Sequence, residues 1–309
     1  MSSRAIPRVS VVMSVYNGER YLRDAVDSIL GQTFADFEFI IVNDGSNDRT
    51  EEILTSYREE RVKLIVQQNQ GLAKALNNAI RIAEGEFIAR MDADDVSRSN
   101  RIERQVEFMQ AHPECVCLGT NVTIMDEQGE NLYTTDLPLN DSSIRVALMH
   151  QNPFVHGSVM YRKQTFSKVG GYHEEIKHYI EDDLLWLDFA SQGEFGVLAE
   201  PLYCYRINPG SINMLTRAEK RRLRRIRVNY LKDSNLRVKD VEYINNLSTH
   251  RSSKIKKALY AYSLAKAHIH YRKDWTVGRK YLRETIKAYP FHLPALLNYF
   301  CTFLASKHK

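Results

Sequence analysis

The chain has 309 residues, 43% hydrophobic and 26% charged, a balance that excludes a disordered protein and allows one large domain plus a smaller unit. Four cysteines at irregular positions (Cys115, Cys117, Cys204, Cys301) exclude a disulfide framework and suit a reducing compartment, and the formal charge of +5 is modest but unevenly placed. Met1 to Arg8 lacks the apolar core of a signal peptide, and no apolar run approaches the roughly 20 residues of a membrane span. The expectation is a cytoplasmic chain, at most peripheral on the inner face of the cell membrane.

Val9 to Tyr16 is a β-branched run that reads as a buried strand and ends in Asn17-Gly18. Glu19 to Leu30 follows as a helix with Leu22, Val26, Ile29 and Leu30 on one face. Phe37 to Val42 is a second strand ending in Asn43-Asp44-Gly45-Ser46, and Asp48 or Ser46 can cap the next helix. Val62 to Val66 is a third strand, Ala73 to Ala83 a third helix, and Phe87 to Met91 a fourth strand that runs into Asp92-Ala93-Asp94-Asp95. Strands alternating with helices predict a doubly wound, mostly parallel α/β sheet, Rossmann-like in its winding.

Ligands of such sheets bind beyond the carboxyl ends of the strands, where strand order reverses. The polar clusters Tyr16-Asn17, Asp44-Gly45-Ser46 and Asp92 to Asp95 all fall at those ends. Neither G-x-G-x-x-G nor G-x-x-x-x-G-K-[ST] occurs, so a bound diphosphate would need a cation instead of a glycine-rich cradle. Mg²⁺ or Mn²⁺ held by one or two carboxylates plus substrate phosphates meets that need.

Asn100 to Ala111 is a further helix, Val116 to Met125 and Leu132 to Thr135 form a hairpin about Asp126 to Gly129, and Phe154 to Tyr161, with His156, reads as a strand. Glu181-Asp182-Asp183 opens a helix running to Ala190. Its dipole accounts for one or two acids, and the third leaves room for a catalytic base. Arg217, Lys220, Arg221, Arg222, Arg224, Arg225 and Arg227 load the next helix with positive charge beside an apolar stripe of Leu223, Ile226 and Tyr230. That helix, residues 217–231, either rests on anionic lipid or packs on the main domain with a solvated face; its sparse aromatics argue against nucleic acid. Lys254 to Phe300 reads as a helix-turn-helix with the spacing of a single tetratricopeptide unit. The expected division is 1–215 and a basic helical region, 216–309.

The motifs together resemble glycosyltransferase family 2 with its GT-A fold. They are V-S-V-V-M-S-V-Y-N at 9–17, Q-T-F at 32–34, V-N-D-G-S at 42–46, N-Q-G-L at 69–72, M-D-A-D-D at 91–95, H-G-S-V-M at 156–160, G-G-Y at 170–172, Glu181-Asp182 and Tyr205-Arg206. The resemblance implies an inverting transfer from a nucleoside-diphosphate sugar, UDP-linked by preference, to a hydroxyl acceptor in cell-surface polysaccharide, lipopolysaccharide or glycolipid synthesis. It places Tyr16 and Asp44 on the nucleotide base with Val15 backbone assisting, Asp92 on the ribose side, Asp94 on the metal, and Asp182 as general base. Asp92 and His156 are further metal candidates, Asn17 lines the donor site, and Lys74 stands in for the basic residue that the family often carries where this chain has Leu76. Asn208 stands where a histidine is frequent. The absence of Q-x-x-R-W and of membrane spans favours single-sugar transfer over polymerisation. A nucleotidyltransferase would need an N-terminal basic glycine-rich loop, which is missing, and a non-enzymatic scaffold would not need acids at both Asp92/Asp94 and Asp182.

Overall fold

Val9–Val15 (β1) and Phe37–Asp44 (β2) are buried along almost their whole length, as unbroken apolar runs require of central strands covered on both faces. The computed structural model describes residues 6–177, 180–209, 215, 217–247 and 252–305; Tyr179, and Gly210 and Ser211 of the loop after Arg206, lie outside them. Leu22–Leu30 (α1), Thr50–Ser56 (α2), Val62–Gln67 (β3), Leu72–Ile82 (α3) and Phe87–Asp92 (β4) complete the wound half. Val96–Ser97 (β5), Arg101–Ala111 (α4), Cys115–Met125 (β6), Asn131–Thr134 (β7), Asp141–Leu148 (α5), Met160–Arg162 (β8), Lys163–Val169 (α6), Glu181–Phe189 (α7) and Glu194–Arg206 (β9) follow. The rest is helical: Arg217–Asp233 (α8), Val238–Asn246 (α9), Ser253–Lys266 (α10), Trp275–Ala288 (α11) and Leu293–Ala305 (α12).

The strand order is β3-β2-β1-β4-β8-β6-β9-β5. β3, β2, β1 and β4 are parallel, whereas β8 joins β4, and β6 joins β8, in the antiparallel sense. The stretch expected as a strand over Phe154–Tyr161 is instead a 3₁₀ turn at His156–Ser158 followed by the three-residue β8. The physical reason is that buried side chains and β4 claim its backbone. Arg101 Nη1 donates to the Gly157 carbonyl at 2.7 Å, and the Arg90 N–H donates to the Val159 carbonyl at 2.9 Å.

Two compact units divide the contacts. The first comprises residues 1–122, 136–205 and 221–246, and the second residues 123–135, 206–220 and 247–309. Within the first, the apolar stripe of α8 (Leu223, Ile226, Tyr230) is buried together with Arg227, while Arg221, Arg222, Arg224 and Arg225 stay exposed. Arg222 stacks over Tyr243 of α9 at 3.5 Å. Within the second, β7 pairs with the last residues of β6, and Tyr262, Ala265, Ile269, Leu282 and Ala295 form the core of the α10–α12 helices. Among the described residues no helix is long and apolar enough to cross a membrane.

Candidate active site

β1, β2 and β4 end level, with Val15 opposite Asn43 and Ser14 opposite Asp92, and the strand order reverses at β1. The crevice of a wound sheet opens at such a point. Val15 is buried there, and Tyr16, 52% exposed, leaves the sheet into solvent. Asn17, at φ 54°, turns the chain; its N–H donates to Ser46 Oγ (2.9 Å) and its Oδ1 accepts from the Asn47 N–H (2.8 Å). Asp48 accepts from the Thr50 N–H and the Glu19 N–H at 3.0 Å each and so ties the two loops together, while the N-cap position of α2 falls to Arg49 and not to Asp48 or Ser46.

Asp44 is buried and engaged on both oxygens. Oδ1 accepts from Gln67 Nε2 (2.7 Å) and the Gln70 N–H (2.9 Å), and Oδ2 accepts from the Gly71 N–H (2.9 Å). It thereby shapes the turn into α3. Lys74, in the first turn of α3, is ion-paired with Glu174 at 2.5 Å, and Asn77 Nδ2 donates to the same carboxylate at 3.0 Å.

The acidic turn after β4 is held by two arginines that the sequence reading did not single out. Arg90, fully buried in β4, donates through Nη2 to Asp92 Oδ1 at 2.6 Å and through Nη1 to the Met91 carbonyl. Arg101, equally buried, spans from the Gly157 carbonyl to the Arg90 carbonyl (3.1 Å). Burial, with Arg90 beside it, lowers its pKa to about 10, which leaves it charged at neutral pH. The Asp92 N–H donates to Tyr203 Oη at 3.2 Å. Gly157 is required by this packing, because a Cβ there would lie 2.0 Å from Tyr203 Oη and 2.7 Å from Asp92 Oδ2. Asp95 is fully buried, and Asp94 is half-buried beside it.

The second acidic cluster opens α7. Asp182 Oδ2 accepts from Asn152 Nδ2 at 2.5 Å, and Oδ1 accepts from the Asp183 N–H at 2.9 Å. Asp183 is ion-paired with Arg227 of α8, whose Nε lies 3.1 Å from Asp183 Oδ2 and whose Nη1 donates to the His150 carbonyl at 3.3 Å. Burial raises all three carboxyls: Asp182 well above the usual range, with Glu181 and Asp183 adding like charge, Glu181 to about 7, and Asp183 upward against the opposing pull of Arg227. His156 Nε2 lies 2.8 Å from Tyr172 Oη, and its Nδ1 lies 3.9 Å from Glu181 Oε1. Burial and then Arg90 hold this imidazole neutral. Gly157, where a Cβ would meet Asp92, follows His156, whose Nδ1 lies 3.9 Å from Glu181, so the two clusters adjoin one space.

Among the described residues no three His, Cys, Asp or Glu side chains are grouped to hold a metal, so Asp92, Asp94 and His156 do not make a three-ligand centre. His156 is turned to Tyr172. Asp92 and Asp94 nonetheless fit a hard divalent cation, as two carboxylates on one turn, with Asp92 Oδ2 receiving no hydrogen bond among the described residues. The arginines that balance this turn carry a signal in the sequence. An arginine inside an apolar strand needs a buried partner, and Asp92 stands two residues after Arg90. Asn152 and Tyr203 carry no comparable signal.

Residues 10–170 match the family described as glycosyl transferase family 2. The O-antigen biosynthesis glycosyltransferase WbnJ of Escherichia coli is 34% identical over 67% of this chain and 83% of its own length. The fold is similar to that of S. aureus TarS residues 1–349 in complex with UDP-GlcNAc, with TM-score 0.58, 19% identity and coverage of 91% and 89% of the two chains. It is also similar to the mannosyltransferase PcManGT from Pyrobaculum calidifontis in complex with GDP-Man and Mn²⁺, with TM-score 0.52, 16% identity and coverage of 99% and 82%. With a wound sheet of GT-A type and a family match over more than half its length, the chain belongs to glycosyltransferase family 2.

Proposed function

We propose that this glycosyltransferase is inverting, metal-dependent and non-processive, and that it moves one sugar from a nucleoside-diphosphate sugar to a hydroxyl of a glycan or glycolipid acceptor. The observation that carries the reading is the adjacency of two unlike acidic clusters across His156-Gly157: Asp92 and Asp94 at the strand end, and a buried Asp182 held by Asn152. Tyr16, Asn17, Asp44 and the Val15 backbone are assigned to the nucleotide. Asp92 and Asp94 are the residues that would hold Mn²⁺ or Mg²⁺, and His156 is assigned to a polar contact nearby. A cation bound there would take up the negative charge of the departing nucleoside diphosphate. Asp182 accepts the proton of the acceptor hydroxyl as that oxygen attacks the anomeric carbon and the bond to the diphosphate breaks. Lys74 is assigned a phosphate contact once Glu174 releases it.

Residues 1–215 carry this work in the proposal, and residues 216–309 are accessory. The O-antigen relative supports a role in cell-surface polysaccharide, lipopolysaccharide or glycolipid synthesis, and the UDP-GlcNAc and GDP-Man complexes of the structural neighbours support a nucleotide-sugar donor, with a UDP-sugar the first choice. A peripheral position on an anionic cytoplasmic membrane face belongs to the same proposal, with the exposed arginines of α8 as one cationic contribution. The test is donor hydrolysis across a panel of UDP- and GDP-sugars with Mn²⁺, with and without EDTA, in the natural chain and in Asp94→Ala. One donor should be hydrolysed in an EDTA-sensitive manner, and the substitution should remove metal-dependent donor binding. EDTA-insensitive hydrolysis that Asp94→Ala leaves unchanged would refute the metal role.

A further inference from the structure

α12 is an unusual surface helix. Its thirteen residues, Leu293–Ala305, contain no charged side chain. Leu293 is 63% exposed and Leu297 57%, and Phe291, just ahead of the helix, is 87% exposed. Leu293 and Leu297 are four residues apart and share one helix face. The opposite side is spoken for: Ala295 is completely buried in the core with Tyr262 and Leu282. Apolar side chains grouped on one exposed face mark an interaction surface, whereas scattered ones need no explanation.

Charge indicates the partner. Residues 247–309 hold thirteen Lys and Arg against two Asp and Glu, and Arg283 and Lys287 are exposed on α11 immediately before Phe291. Arg283 Nε donates to Tyr299 Oη at 2.8 Å, which sets a cation on α12 itself. A second copy of so basic a region would be repelled, and three exposed side chains fall well short of the roughly 800 Å² per partner of a stable dimer. An anionic lipid surface needs neither complementarity of shape nor a large area. It attracts the cations from a distance, and a few apolar side chains then enter the headgroup boundary.

We infer that the second unit docks on an anionic membrane through Phe291, Leu293 and Leu297, with Arg283, Lys287 and the other lysines and arginines of the unit supplying the attraction. The inference rests on the membrane component of the proposed function and not on its chemistry. It moves the apolar contact away from α8, whose stripe is buried in the first unit.

The test is sedimentation of the full chain with phosphatidylglycerol-rich vesicles and with phosphatidylcholine vesicles, at low and high salt. Binding should require the anionic lipid and weaken with salt. The combined Phe291→Ser, Leu293→Ser and Leu297→Ser substitutions should lower the bound fraction on the order of tenfold. Lys287→Glu should weaken binding at low salt alone. Because all four positions are exposed, the thermal midpoint should hold, and donor hydrolysis without vesicles should be unchanged, so loss of docking is distinguishable from loss of the proposed activity. Equal binding to both vesicle types, undiminished binding of the triple variant, or a dimer in solution that the triple variant dissociates would overturn the inference.

Discussion

Asp92 ends the strand that carries Arg90, Asp94 and Asp95 follow it, and Arg101 stands within electrostatic reach of Asp92 and Asp95; Glu181, Asp182 and Asp183 open a helix where Arg227 pairs with the last of them. Three acids in four residues and three in a row look alike in composition, yet their surroundings differ. The first cluster lies at a strand end with buried guanidinium groups beneath it, and Asp92 keeps 27% of its side chain in solvent. The second is buried, and its carboxyls are pushed toward holding protons. In the proposed mechanism environment, not residue type, divides the labour, with the first set assigned to a cation and the second to proton transfer.

The sharpest way to break that division is to neutralise one cluster and then the other. Asp182→Asn keeps the shape at the start of α7 and removes the proposed proton acceptor. The transfer rate should fall roughly 10²- to 10⁴-fold, with donor affinity measured by calorimetry unchanged within about twofold. In the natural chain the proposed mechanism requires the rate to climb with pH over a range above that of ordinary carboxylates, because its base is the ionised Asp182 and burial resists that ionisation. Asp92→Asn should do the reverse, weakening Mn²⁺-dependent donor binding and leaving the shape of the pH profile alone. Equal loss of donor binding in both variants would erase the distinction.

Arg227 offers a second test, of stability rather than rate. It is buried and pairs with a buried Asp183, so replacing it strands a carboxylate without its counter-charge. Arg227→Met should cost about 3–5 kcal/mol, read from urea denaturation, and Asp183→Asn in the same chain should restore a large part. If Arg227→Met were harmless, the ion pair would not be what separates Asp183 from its two neighbours.

Much of this was legible in the sequence for a physical reason. Period, turn residues and strand-end polarity are local, so β1 to β4, their helices and the positions of Asp44, Asp92 and Asp182 follow from short stretches. What was not legible depends on partners far apart in the chain. The basic helix offered two readings because charge count does not say which face is buried, and the burial of Leu223, Ile226 and Tyr230 in the first unit settles where its stripe goes. Phe154–Tyr161 has strand composition, but Arg101 and β4, from about fifty to seventy residues earlier, bend it at Gly157. Asn152 gives no hint of Asp182 until the fold sets them 2.5 Å apart.

The smallest expected effect lies where α7 meets α8 at its other end. His173 Nε2 lies 3.0 Å from Asp188 Oδ2, and Tyr230 Oη donates to Asp188 Oδ1 at 2.6 Å. Glu175 Oε1 faces the other ring nitrogen at 3.2 Å. The Asp188 hydrogen bond, opposed by burial, raises the His173 pKa above the usual 6.5. A group whose folded pKa is raised stabilises fully below its unfolded pKa, and that contribution fades as pH climbs through the folded value. The thermal midpoint of the natural chain should therefore fall, relative to His173→Gln, as pH climbs from about 6.5 through the raised folded pKa, by no more than a few degrees. Unlike the acids at the start of α7, which burial drives toward neutrality, His173 gains its charge from a neighbour. Parallel pH dependences in the two chains would show that the Asp188 contact contributes packing alone.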